Sequence, residues 1–132
     1  MNISGIKTPI EISWVDSTTL RDIVLSIDEP LEANKLYKLS IPYCVGLSSE
    51  VNDKAEEFKM GIVSSDVQGK VIINEIMSSS TKNADYIEIY NTSTEILDLS
   101  KICFCHIVDG VIKAIYPFAT ESTPFFAGEH LV

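Results

Sequence analysis

The chain has 132 residues, a formal charge of −9 and a pI near 4.5, and 45% of its residues are hydrophobic. That length bounds one ordinary domain or two very small ones, and that apolar content argues against a disordered chain. Only ten Lys and Arg are spread along it, which argues against sequence-independent nucleic-acid binding, since neutralising phosphates needs clustered cations.

No run approaches the ~20 apolar residues of a transmembrane helix. Met1-Asn2-Ile3-Ser4 opens without the basic and apolar regions of a signal peptide.

Alternation of apolar and polar residues predicts strands through most of the sequence. Ile10, Ile12 and Trp14 alternate with Glu11 and Ser13, and Tyr37, Leu39 and Ile41 alternate with Lys38 and Ser40, so both stretches read as half-buried strands. Between them Ile23, Leu25 and Ile27 form another set. It is followed by Asp28-Glu29-Pro30 and the Glu32 to Lys35 stretch, which should turn the chain back into a hairpin with the Tyr37 strand. Cys44 to Lys54 reads as a polar loop, and Phe58, Met60 and Ile62 as a closing strand. Val63 to Gly69 has the small, polar, turn-forming composition of a linker, which places the division near Asp66.

Beyond it, Lys70 to Met77 is rich in β-branched residues and apolar on both faces, the pattern of a strand covered on both sides. Ser78 to Asn83 reads as a turn. Ala84 to Asn91 reads as a strand with Ile87 and Ile89 on one face and Tyr86, Glu88 and Tyr90 on the other, and Thr94 to Leu99 as a short strand. Ile102 to Val108 and Val111 to Tyr116 flank Asp109-Gly110, a dipeptide suited to the positive φ angles of a tight hairpin. Strands at this spacing without a helical stripe predict an all-β sandwich or barrel.

Three stretches carry a family resemblance. Val71-Ile72-Ile73-Asn74-Glu75-Ile76-Met77, then Asp85-Tyr86-Ile87-Glu88-Ile89-Tyr90-Asn91, then Leu97-Asp98-Leu99-Ser100 resemble in order the opening strands of the lamin tail domain in its bacterial versions. Pro117-Phe118 and Phe126 to Val132 are similar to its next landmarks, although Lys101-Ile102 stands where that family has Gly followed by an aromatic. Glu29-Pro30-Leu31 with Lys35 to Ile41 resembles the late hairpin of bacterial immunoglobulin-like domains. The resemblance implies two partial immunoglobulin-like β-sandwich domains, 1–65 and 66–132, joined by a short linker within a longer extracellular or cell-envelope polypeptide. A sandwich cut short would leave an inner apolar face and a strand edge open, so the isolated segment is expected to be unstable or to self-associate.

Candidate sites are few. Glu75 and Glu88 lie on successive strands, which can bring carboxylates within the ~5–10 Å that glycosidase chemistry uses. The competing reading puts Glu88 on a partly solvated face between two tyrosines and gives Asn74-Glu75 a loop-anchoring role, which the resemblance supports. Cys103, Cys105 and His106 are ligand types that zinc prefers, but only three lie together, and on a strand the histidine faces away from the cysteines. Bridging Cys103 to Cys105 would strain the backbone.

His106 and His130 lack a framed nucleophile for a hydrolase triad. Asp16, Asp22, Asp28 and Glu29 offer oxygens for calcium without an EF-hand spacing. Tyr86, Tyr90, Tyr116, Phe118, Phe125 and Phe126 could furnish a carbohydrate or peptide surface, with core packing as the competing role. Asn2-Ile3-Ser4 and Asn91-Thr92-Ser93 match the glycosylation triplet.

No catalytic, cofactor-binding or metal-ligating residue is assigned on these grounds, and no cofactor is required. The function expected is a non-catalytic structural or interaction segment of a secreted or cell-surface protein. Its partners would be the rest of its own polypeptide, other proteins or surface polymers, with self-association through open strand edges and neither nucleic-acid binding nor membrane insertion. The alternative is an accessory module beside a hydrolase or nuclease domain outside these residues. A nuclear filament tail is disfavoured because no heptad rod or basic localisation run accompanies the domain.

Overall fold

The computed structural model describes all residues except 9, 16–22, 43, 46–50, 53 and 79–84, and the side chains of residues 14, 44, 45, 51 and 52 fall outside that description too. The protein is all-β, with one short 3-10 turn and no α-helix among the described residues. Two compact units share the chain: Met1–Glu32 with Leu36–Met60, and Ala33–Lys35 with Gly61–Val132.

The first unit contains β1 (Asn2–Ile3), β2 (Glu11–Trp14), β3 (Ile23–Ser26), β4 (Tyr37–Ile41), β5 (Cys44–Val45), β6 (Val51–Asn52) and β7 (Glu56–Met60). Its sheets are β1-β4-β7, β2-β3 and β5-β6, all antiparallel. The hairpin expected between the Ile23 and Tyr37 strands does not form. Both edges of β4 are taken, by β1 and β7, and β3 pairs with β2 instead, Trp14 opposite Ile23. The connection is held elsewhere, because a Glu29 carboxylate oxygen accepts the backbone N–H of Lys7 (3.2 Å) and of Thr8 (3.0 Å). The stretch Cys44 to Lys54, expected as loop, pairs as β5 and β6, with Cys44 opposite Asn52.

Burial in this unit centres on Ile3 and Tyr37, whose hydroxyl accepts the Glu32 N–H at 2.9 Å. Ile12, expected on a buried face, is 57% exposed, since a two-stranded ribbon offers no second layer to cover it.

The second unit contains β8 (Val71–Met77), β9 (Tyr86–Asn91), β10 (Leu97–Asp98), the 3-10 turn Leu99–Lys101, β11 (Cys103–Val108), β12 (Val111–Pro117), β13 (Pro124–Phe125) and β14 (His130–Leu131). The sheets are β14-β9-β8, β10-β13 and β11-β12. Ile89, Leu97, Leu99 and Phe125 form its buried core, with Val67, Val71, Ile87 and Leu131 among the side chains packed against it.

The stretch expected as a linker is built into this unit. Ser64 pairs in parallel with Leu97, donating to the Ile96 carbonyl and accepting from the Asp98 N–H, while Val67 packs on the core. Lys70 ties it down through ion pairs to Asp66 (2.9 Å) and Glu95 (2.8 Å). Gly61 lies against the Ile96 side chain and the Lys35 carbonyl, a fit that leaves no room for a Cβ.

The face assignment of β9 agrees with its sequence pattern: Ile87, Ile89 and Asn91 point inward. Strand β8 is less regular. Its register passes from Ile73 opposite Ile89 to Glu75 opposite Glu88, so Asn74 is an extra residue in a β-bulge. The bulge puts Val71, Ile73 and Ile76 on one face, although Ile73 and Ile76 are three apart. Coverage on both faces was expected here, yet Ile76 is 65% exposed and Ile72, Ile73 and Met77 are exposed as well. The reason is position: β8 ends its sheet, with β9 as its one strand neighbour among the described residues.

The β11–β12 hairpin turns at Asp109 (φ 50°) and Gly110 (φ 75°), as its dipeptide predicts.

Candidate functional site

The inward face of β8 and β9 is only partly covered, and the space left forms two adjoining grooves within the second unit. The first, about 370 Å³, runs between Ile73, Ile87 and Ile89 on the sheet and Ile102, Phe104 and Phe118 opposite. Lys101 is the one charged residue along it among the described residues. The second, about 390 Å³, shares Ile87, Phe104 and Phe118 with the first and continues past Ile76 and Met77 to a polar end at Ser78 and Asp85. Each has the volume of a small-molecule site and a lining that is largely apolar.

Glu75 and Glu88 are cross-strand partners on the opposite face of the same sheet. The Asn74 amide donates to Glu88 at 2.6 Å, across the strands rather than into a loop as expected. Tyr86 donates to Glu75; that bond, partial burial and the charges of Glu75 and Glu88 raise the phenol's pKa. The bulge is the reason all four polar groups meet, since it turns Asn74 and Glu75 to one side.

Cys103 and Cys105 are free thiols with their sulfurs 3.7 Å apart. The bond to Cys103, then partial burial, raises the pKa of the Cys105 thiol. No group of three or more His, Cys, Asp and Glu side chains gathers in metal-binding fashion among the described residues. His106 lies on β11 opposite Ala114, whereas His130 lies on β14 and stacks on Tyr90 with centroids 4.4 Å apart.

The aromatic residues separate. Phe125 is core, Phe118 lines the grooves, and Tyr116 is exposed and stacked on Phe104 at 6.4 Å. Among the acidic candidates Glu29 is committed to its backbone clamp, and Asp16 and Asp22 lie outside the described residues. Asn91, of the second glycosylation triplet, is fully buried. Its amide donates to the Glu95 and Phe125 carbonyls and its oxygen accepts from the Ser93 N–H and hydroxyl, so a glycan has no access to it in the folded unit.

Set against known proteins, the chain matches no family model, no curated protein and no solved structure. The grooves were not read from the sequence because they depend on which isoleucines share a face, and the bulge at Asn74 breaks the alternation that would reveal it. A polar pair inside an otherwise β-branched strand is the signal that could have located that bulge.

Proposed function

We propose that the chain is a non-catalytic interaction segment of a larger secreted or cell-surface protein, an immunoglobulin-like unit followed by a lamin-tail-like unit. The observation that carries this reading is the conjunction of an open strand edge with an apolar groove. Strand β8 has no strand partner on one side among the described residues, and Ile73 and Ile76 beside it line the grooves with Phe104 and Phe118.

An extended strand added to β8 would gain main-chain hydrogen bonds and place alternate side chains in the grooves, the usual physics of strand addition. For the isolated chain the occupant is the β8 strand of a second copy, whose Val71-Ile72-Ile73 segment has the required β-branched composition. The family assignment rests on the lamin-tail-like order of motifs from Val71 to Ser100, which supports the cell-surface setting.

Sedimentation velocity over a concentration series tests the reading. The wild-type chain should associate as concentration rises, and Ile76→Lys, which puts a charge on the edge, should remain monomeric. Wild-type chain that stays monomeric throughout, or a variant that associates equally well, would refute it.

A further inference from the structure

The two grooves run together at Ile87, Phe104 and Phe118, which line both. Strand β8 sets the length of the resulting trough. Val71 lines the first groove and Met77 the second, and the steps of about 3.3 Å between them add to roughly 20 Å, the reach of an extended long acyl chain.

Charge enters the trough at separate places: Lys101 lines only the first groove, and Asp85 only the second. The Lys101 side chain makes no ion pair among the described residues, whereas Lys38 and Lys70 are each paired with carboxylates. Asp98, three residues before Lys101, is buried and held by Ser100, Ser122 and Thr123, so its charge is spent inside the unit. An unpaired cation beside an apolar trough is the complement of an anion with a long apolar body.

We propose that the grooves bind one free long-chain fatty acid, its carboxylate at Lys101 and its tail running past Ile73 and Phe118 toward Ile76. The acid uses the grooves of the interaction reading but does not depend on strand addition, whose side chains would compete with the tail for the same space. Each methylene taken fully out of water tightens binding about fourfold, so chain length decides affinity. The solvent-exposed contact with Lys101 adds a factor of about five at most and sets the direction of the chain.

The test displaces cis-parinaric acid, which fluoresces when shielded from water, from the full chain at a concentration where sedimentation shows monomer. Palmitate should displace it at one site per chain, and octanoate should be at least about a hundredfold weaker. Ile73→Glu, at a 55% exposed position of the trough, should abolish binding and keep the wild-type circular dichroism. Ile115→Glu, at a 59% exposed position outside the grooves, should bind as the wild type does. Lys101→Met should weaken palmitate by about threefold to fivefold and leave displacement by hexadecanol unchanged. Phosphatidylcholine vesicles, which carry similar tails without a free carboxylate, should not capture the chain. Absent displacement, several sites per chain, octanoate as tight as palmitate, Ile73→Glu binding like the wild type, Lys101→Met affecting both ligands alike, or capture by vesicles would overturn the proposal. A chain that associates at high concentration yet ignores palmitate refutes the fatty-acid site alone, and one that binds palmitate yet never associates refutes strand addition alone.

Discussion

Asn91 and Asp98 show how the second unit spends its buried polar groups. Asn91 bonds two carbonyls and one loop serine at once, which fixes the turn from β9 into β10 and its contact with β13. Asn91→Ala orphans the Glu95 and Phe125 carbonyls together and should cost at least about 2 kcal/mol in denaturant unfolding. Asp98 is ionised despite its burial. Burial opposes the charge, but bonds from the Ser100 N–H, the Ser122 hydroxyl and the Thr123 N–H outweigh it and hold the carboxyl at about 2.

A carboxyl depressed in the folded state stabilises it above the unfolded pKa and loses that effect as pH falls through the folded value. Stability should therefore drop between about pH 4 and pH 2, and Asp98→Asn should flatten that part of the profile in acid titrations of unfolding. Neither role was legible in the sequence, where Asn91 reads as a glycosylation site and Asp98 as part of a family motif.

The longer strands follow their local sequence, whereas the short β5 and β6 arise where a loop was expected and the pairing of strands does not follow local sequence. The hairpin at Asp109-Gly110 was legible because two residues with positive φ specify it locally. Gly110→Ala should destabilise the unit by about 1 kcal/mol in thermal or denaturant melts, since a Cβ is strained at φ 75° although the space around it is open. The pairing of β4 with β1 and β7 was not legible, because it depends on partners far along the chain rather than on the nearest alternating segment.

The bulge in β8 lies between these cases. Deleting Asn74 removes the extra residue and keeps Ile73 and Ile76 on the same face, so unfolding free energy should change by less than about 1 kcal/mol. Deleting Ile72 instead shifts the phase of the strand's start relative to β9 and should be far more damaging.

At the scale of the molecule, the two units differ in what they bury. The second gathers Ile89, Leu97, Leu99 and Phe125 into one cluster, while the buried apolar residues described in the first are Ile3 and Tyr37. Amides of β4 should consequently exchange faster than those of β9 in native hydrogen exchange. All-β architecture was readable from composition and period alone. The division of the chain was harder to read, because Ser64 and Val67 have the composition of a linker, and yet Ser64 bonds into the second unit and Val67 packs on its core.

Whether β8 is an open edge decides the reading of the molecule as an interaction segment. Hydrogen exchange followed by mass spectrometry in the Val71–Met77 peptide, at low and at high protein concentration, addresses it directly. An edge that accepts a strand requires fast exchange there in dilute solution, slowing as concentration rises while β9 stays protected throughout. Protection of β8 equal to that of β9 at the lowest concentration would contradict it.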